Sequence, residues 1–226
     1  MVAHLSTPRS VTTKAVMAAR LALAGIVLYA IIDVALVFLR PQFSILHNAE
    51  SDYGSSGSWA WLMDLNFLLR GALSLAVVGA VSVAAAKGRG LQAALGLLIV
   101  WALGSGLLAF FADDPAGTPL RTSGAVHLAL AFVAFVAVLV GTILGSLALS
   151  GQPRWRRVAT PMAVLSWGAL VPFLLLGRAG FHPHSLGGLY EKIFLAMELL
   201  WLALVAACVA RGAGDSAVSP SGPPVA

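Results

Sequence analysis

Apolar residues run through this chain in long unbroken blocks, LALAFVAFVAVLVGTILGSLAL at 128–149 among them, separated by short polar segments. A helix needs about 20 apolar residues to cross about 30 Å of hydrocarbon. Six blocks qualify, near residues 18–39, 59–86, 91–111, 123–150, 159–176 and 189–210. A spanning β-barrel would instead alternate over segments of about ten residues between turns, and the continuous blocks exclude it. The predicted fold is all-α, a polytopic membrane bundle with six transmembrane helices. The bundle occupies 18–211, after an N-terminal segment 1–17 and before a tail 212–226, GAGDSAVSPSGPPVA, whose small, polar, Pro-rich composition predicts disorder.

Composition agrees with a membrane protein: 59% of residues are hydrophobic and only 10% charged, where a soluble domain has roughly a quarter charged. The net charge of +5 would suit nucleic acid, but the location of the cations gives them another meaning. Arg9, Lys14, Arg20, Lys87, Arg89, Arg154, Arg156, Arg157 and Arg211 fall on one side of six alternating spans. Arg40, Arg121, Arg178 and Lys192 fall on the other. The positive-inside rule then predicts a cell-membrane protein with both termini cytoplasmic, and no nucleic acid is expected. The basic start of the first span resembles a signal peptide, but its length, Asp33 and the FLRP ending predict a retained anchor. The single cysteine, Cys208, cannot form an internal disulfide.

The acids follow the opposite distribution. Residues 48–59, NAESDYGSSGSW, hold Glu50, Asp52 and four serines. On the predicted topology they share the outer face with Asp113, Asp114, Glu191 and three histidines, His47, His182 and His184. Asp33, Asp64 and Glu198 lie inside spans near that face, and His127 about one turn inside the fourth. Ionisable groups in hydrocarbon cost a few kcal/mol or more and persist where they find partners. Arg70, in the second span, is expected to pair with Asp33, Asp64 or Glu198. Helical spacing puts Tyr29, Asp33 and Arg40 on one stripe, Glu191 and Glu198 on one face, and Ser123 and His127 on another.

Each of these has a plainer reading beside the functional one. Glu50, Asp52, Asp113 and Asp114 read first as solvated loop or capping residues, since SDYG and DDP are turn sequences. Ser123 reads as the N-cap of the fourth span, His127 as a hydrogen-bonded bundle residue before a metal ligand, and the Arg70 pair as a packing device. Trp59, Trp61, Trp167 and Trp201 suit the headgroup region or the bundle lining. Phosphate-binding loops, CxxC, HExxH and a GxSxG elbow are all absent. The Ser123–His127 spacing matches one of the two histidine patterns of alkaline-ceramidase hydrolases, without the second.

NAESDYG followed by LMDLNFLLRG resembles the paired motif of the family called "domain of unknown function 998", with Asn48, Ser51, Asp52, Gly54, Asn66 and Gly71 in its positions. FFADDPAGTPLRTSGAVH is similar to that family's second motif through Phe110, Asp114, Pro115, Gly124 and His127. GLYEKIFLAMELLW is similar to a third through Gly188, Glu191, Lys192 and Trp201. Glu50 departs from the pattern, which has an apolar residue there. The resemblance implies a multi-pass bundle with a polar outer face and no established reaction.

The leading functional expectation is binding or remodelling of a lipid or lipophilic molecule near the outer leaflet. Its ligand-binding residues would be Asn48, Ser51, Asp52, Asn66, Arg70, Asp114, His127 and Glu191. The first alternative is an enzyme, with catalytic candidates Asp52, Asp64, Asp114, His127, Glu191 and Glu198. It would be an acid-initiated prenyl or terpene cyclase using Asp64 or Glu198, or a zinc hydrolase built on His127 with His182 or His184. Metal and other cofactors are not expected. A proton- or cation-coupled transporter would use Asp33, Arg70 and Glu198. Membrane lipids are the expected partners, and an accessory subunit bound to another membrane protein, or a homo-oligomer, completes the alternatives.

Overall fold

The computed structural model describes residues 12–114, 118–181 and 184–211. Seven α-helices are formed: α1 (Thr13–Leu39), α2 (Ala60–Ala84), α3 (Arg89–Leu108), α4 (Thr122–Ser150), α5 (Ala159–Gly168), α6 (Leu170–Ala179) and α7 (Gly187–Arg211). Short 3-10 turns at Ser51–Gly54 and Pro153–Val158 complete the regular structure, with no strand among the described residues. Five of these helices, and the segment Pro153–Ala179, are long and apolar enough to cross a membrane. The chain is a multi-pass membrane protein of six spans.

The predicted fifth span is formed as one membrane-crossing segment, with a local lapse at Ala169, whose backbone stays helical and whose carbonyl accepts the Phe173 amide at 3.1 Å. Pro172 has no amide hydrogen, and its ring conflicts with the carbonyl four residues back, at Gly168. The lapse divides the span into α5 and α6. The first span begins earlier than expected, because Thr12 caps it by accepting the Ala15 amide. The disordered tail expected at 212–226, like Arg9, Pro115 and His182, lies outside the described residues.

Sequential helices pack antiparallel, α1 on α2, α2 on α3 and α3 on α4, and α7 closes the bundle against α1, α2, α5 and α6. Trp101, Trp201 and Phe194 are buried within it, and Trp155 is buried in the turn that precedes α5. The Trp201 ring lies on Gly145 of α4, and its indole N–H donates to Ser146 Oγ at 2.8 Å. Small residues at crossings let helices meet where lipid removes the usual hydrophobic gain from association. Trp167, by contrast, is 51% exposed beside the lapse at Ala169 and faces outward.

Six alternating spans separate the loops by charge. Lys87, Arg89, Arg154, Arg156, Arg157 and Arg211 share one end, hereafter the basic end. Residues 40–59, 109–114, 118–121, 180–181 and 184–186 share the other, the acidic end. At the basic end Gln152 joins two loops, accepting the Ala86 amide at 2.8 Å and donating to the Ala86 carbonyl at 3.3 Å.

Candidate functional site: a buried acidic loop over an apolar crevice

The loop after α1 folds back into the bundle. Arg40, at the end of α1, donates to the carbonyls of Tyr53 and Ser55, both at 2.6 Å, and of Ser56 at 3.0 Å. Asn48 holds the turn from within, accepting the Ser44 amide at 2.9 Å and donating to Asp52 Oδ2 at 2.7 Å. Asp52 Oδ2 also accepts the Ala49 amide at 3.1 Å. From α7, Lys192 Nζ donates to the Asn48 carbonyl at 2.9 Å, and the Leu189 amide to the Leu46 carbonyl at 3.0 Å. A glycine is required at 188, because a β-carbon there would overlap the Asn48 carbonyl.

This arrangement corrects the reading of the acids as solvated turn residues. Glu50, Asp52 and Asp113 are 3%, 2% and 8% exposed. The loop's backbone bonds to Arg40 and α7 pull its side chains inward instead of leaving them in water. Burial raises the Asp52 carboxyl above its ordinary value, against the opposing effect of the Asn48 hydrogen bond. Tyr53 is pushed up to about 12, chiefly by burial.

Arg70 is paired with none of the three expected acids. Its Nη1 meets Glu50 Oε2 at 3.0 Å, with both side chains buried. The infolded loop delivers Glu50 directly to the guanidinium, which the acids on the helices do not reach with a bond. Arg70 Nη1 also donates to Tyr29 Oη, and Nε to Ser105 Oγ, both at 3.2 Å. Tyr29 in turn donates to Glu50 Oε1. The rings of Trp101, Phe67 and Tyr29 surround the guanidinium at 4.9, 5.2 and 5.9 Å. Glu191 Oε2 accepts the Glu50 amide at 2.7 Å.

Across the loop, Ser51 donates to Asp113 Oδ2, joining segments 48–59 and 109–121 at one end. Asp114 binds the start of α4, accepting the Arg121 amide at 2.6 Å and its Nε at 2.8 Å. The Arg121 backbone N–H, before the guanidinium, holds this carboxyl below the ordinary range. Gly124 is required beneath it, since a β-carbon would enter the Asp114 carboxylate. Ser123 is not the cap of α4. Its hydroxyl donates to the Ala112 carbonyl at 3.0 Å, and Arg121 takes the cap position with no side-chain bond.

Beneath these groups lies a cavity of about 640 Å³, within the range of sites for one small ligand. Glu50, Ser51, Asp52, Arg70, Asp113, Asp114, His127 and Glu191 line its polar end. Its other walls are apolar: Leu128, Phe132 and Phe135 of α4 face Phe173, Leu174 and Gly177 of α6. α4 and α6 make little contact with each other. Phe132 and Leu174 are 65% and 60% exposed, so the gap between these helices is an apolar mouth on the bundle's lipid-facing side.

Of the expected ligand-binding residues, Ser51, Asp52, Arg70, Asp114, His127 and Glu191 line this cavity. Asn48 and Asn66 do not. Asn48 spends its amide on the loop, and Asn66 is fully buried with no partner for its amide among the described residues. Phe67 takes the cavity-facing position of α2, and Asn66 lies about 100° round the helix from it. Of the expected catalytic acids, Asp64 and Glu198 do not line the cavity, whereas Asp52, Asp114 and Glu191 do. Glu198 shares the buried face of α7 with Glu191; the Thr142 side chain of α4 acts on it, but neither of its oxygens makes a hydrogen bond of ordinary geometry among the described residues. Glu50 and Asp113 line the cavity although neither was among the expected ligand-binding or catalytic residues. The signal for Glu50 was its departure from the family pattern, an acid where an apolar residue is expected.

His127 is 2% exposed and stands edge-on to the Phe67 ring at 5.8 Å. Its Nδ1 lies 2.7 Å from the Phe111 carbonyl. A carbonyl only accepts, so Nδ1 carries the proton, and Nε2 of the neutral ring is an acceptor. His184 is exposed and packs edge-on against His47 at 6.4 Å. Among the described residues no group of three His, Cys, Asp or Glu side chains is placed to hold a metal ion.

No curated protein and no solved structure matches the chain. Residues 23–208, from the first span to the end of the last, match the family described as Protein of unknown function (DUF998), and the chain belongs to that family.

Proposed function

We propose that the protein binds or remodels a lipid or other lipophilic molecule, taken from one leaflet through the mouth between α4 and α6. The observation that carries this reading is the cavity itself, which joins an apolar opening at the lipid-facing surface to a buried polar end. Such a shape suits an amphipathic molecule whose chain lies among Phe132, Phe135 and Phe173 while its head reaches His127 and Glu191. The distribution of cations supports placing the acidic end away from the cytoplasm, and hence the mouth in the outer leaflet.

Filling the mouth tests this. A β-carbon at Gly177 meets nothing within 4 Å, so the side chain of Gly177→Phe starts from open space at the mouth. The protein purified in mild detergent should retain a lipophilic molecule detectable by mass spectrometry, and Gly177→Phe should lose most of it at an unchanged unfolding temperature. Equal retention by the two proteins would refute the reading.

A further inference from the structure

We infer that the molecule taken by this crevice carries a hydrogen-bond-donating head, a hydroxyl or an ammonium group, on an apolar body, and that anionic phosphate heads are excluded. The inference rests on the binding reading above and adds the chemical class of the ligand. It comes from the polar atoms that line the cavity and have no partner among the described residues.

Most polar groups at this end are already committed. Asp113 accepts from Ser51 and from the Asp114 amide, and both oxygens of Asp114 are held by Arg121. The hydroxyls of Ser51 and Tyr29 are spent on carboxylates. Three acceptors remain. Glu191 is 6% exposed, and its Oε2 takes the Glu50 amide, so Oε1 is left without a partner. Asp52, 2% exposed, uses Oδ2 for Asn48 and Ala49, and Oδ1 is left. His127 gives Nδ1–H to Phe111, and the lone pair of Nε2 is left. These three atoms belong to side chains that line the cavity and lack a donor among the described residues, and a ligand head that donates to them satisfies them.

One donor must be weighed against these three. The Nη2 of Arg70 also has no partner among the described residues, and a lone guanidinium would attract phosphate. Here its charge is already met by Glu50 at 3.0 Å, and three aromatic faces surround it. A phosphate reaching it would also stand among Glu50, Asp52, Asp113 and Glu191, four carboxyls in one low-dielectric end, and like charges there oppose ionisation or binding. An alcohol oxygen could accept from Arg70 while donating to Glu191 or His127. An ammonium group has donors for all three acceptors.

The test uses the full chain in lipid nanodiscs and three photoactivatable probes with the same sixteen-carbon diazirine chain: the primary alcohol, the primary amine and the monophosphate. Labelling is mapped by mass spectrometry onto peptides containing Phe132 and Leu174. The alcohol, the amine or both should label these peptides at least tenfold more than the phosphate, and the ratio of alcohol to amine identifies which head is taken. His127→Phe and Glu191→Gln should each reduce that labelling several-fold. The two variants remove different acceptors, so a folding defect in one does not silence the other.

Equal labelling by all three probes, or stronger labelling by the phosphate, would overturn the head assignment and leave the crevice as a lipophile site. Absence of labelling at Phe132 and Leu174 with every probe would remove the binding reading itself.

Discussion

Arg70 of the second span and Glu50 of the preceding loop form a buried ion pair at 3.0 Å, with Tyr29 bonded to both. Taking either partner away leaves an uncompensated charge in a low-dielectric site, which costs about 3–5 kcal/mol. Glu50→Ala and Arg70→Met should each lower the unfolding temperature in detergent sharply. The double variant should be milder than either single change, because no lone charge remains. A double variant as damaged as the sum of the two would show that the residues act independently.

The loop's seat on α7 leaves no room for a side chain at 188. Gly188→Ala should push the Asn48 carbonyl away and cost about 1–3 kcal/mol, the usual range for overpacking. Hydrogen exchange should rise in segment 44–55 while the interiors of α2 and α3 stay protected. Unchanged exchange in that segment would mean the loop does not depend on this contact.

Two carboxyls at the acidic end respond to pH in opposite senses. Asp114 is held below the ordinary range by Arg121, so its contribution is present above the unfolded carboxylate pKa and lost as pH falls through the lowered one. Asp52 is raised by burial. Its protonated form is the better folded one, so its contribution is present at low pH and lost as pH rises through the raised value. Unfolding scans between about pH 3 and pH 8 should therefore lose opposite slopes in Asp114→Asn and Asp52→Asn. The same change of slope in both would contradict these environments.

Glu198 is a fully buried carboxyl with neither oxygen in a hydrogen bond of ordinary geometry among the described residues, Thr142 of α4 being the polar side chain that acts on it. If it serves only packing, Glu198→Leu should hold or raise stability, by about 1–3 kcal/mol, as removal of an unsatisfied polar group does. Heat scans in detergent measure this directly. A clear loss of stability would reveal a polar partner that Leu cannot replace.

The spans were legible because length and apolarity alone decide them, and the lapse in the fifth was not, although Pro172 stood in view. Proline is tolerated in membrane helices when neighbours satisfy the freed carbonyl, so its presence does not by itself place a lapse. The gathering of Asp52, Arg70, Asp114, His127 and Glu191 at one end followed from counting spans, and all five line one cavity. The partner of Arg70 was illegible for a different reason. Depth along a helix can be read by counting residues, but the path of a loop back into the bundle is set by Arg40 and Lys192 donating to backbone carbonyls and by Asn48 bonding the Ser44 amide and the Asp52 carboxylate. Side-chain identity announces none of those bonds.

The Glu50–Arg70 pair also bears on how the chain is made. Synthesis runs from the amino terminus, so the counterion emerges twenty residues ahead of the guanidinium it neutralises, and Tyr29 ahead of both. When the second span leaves the insertion machinery, its buried cation can be met at once by a carboxylate already waiting beside the first. Glu191, which anchors that loop from the last span, arrives only at the end, as a latch on a neutralised unit.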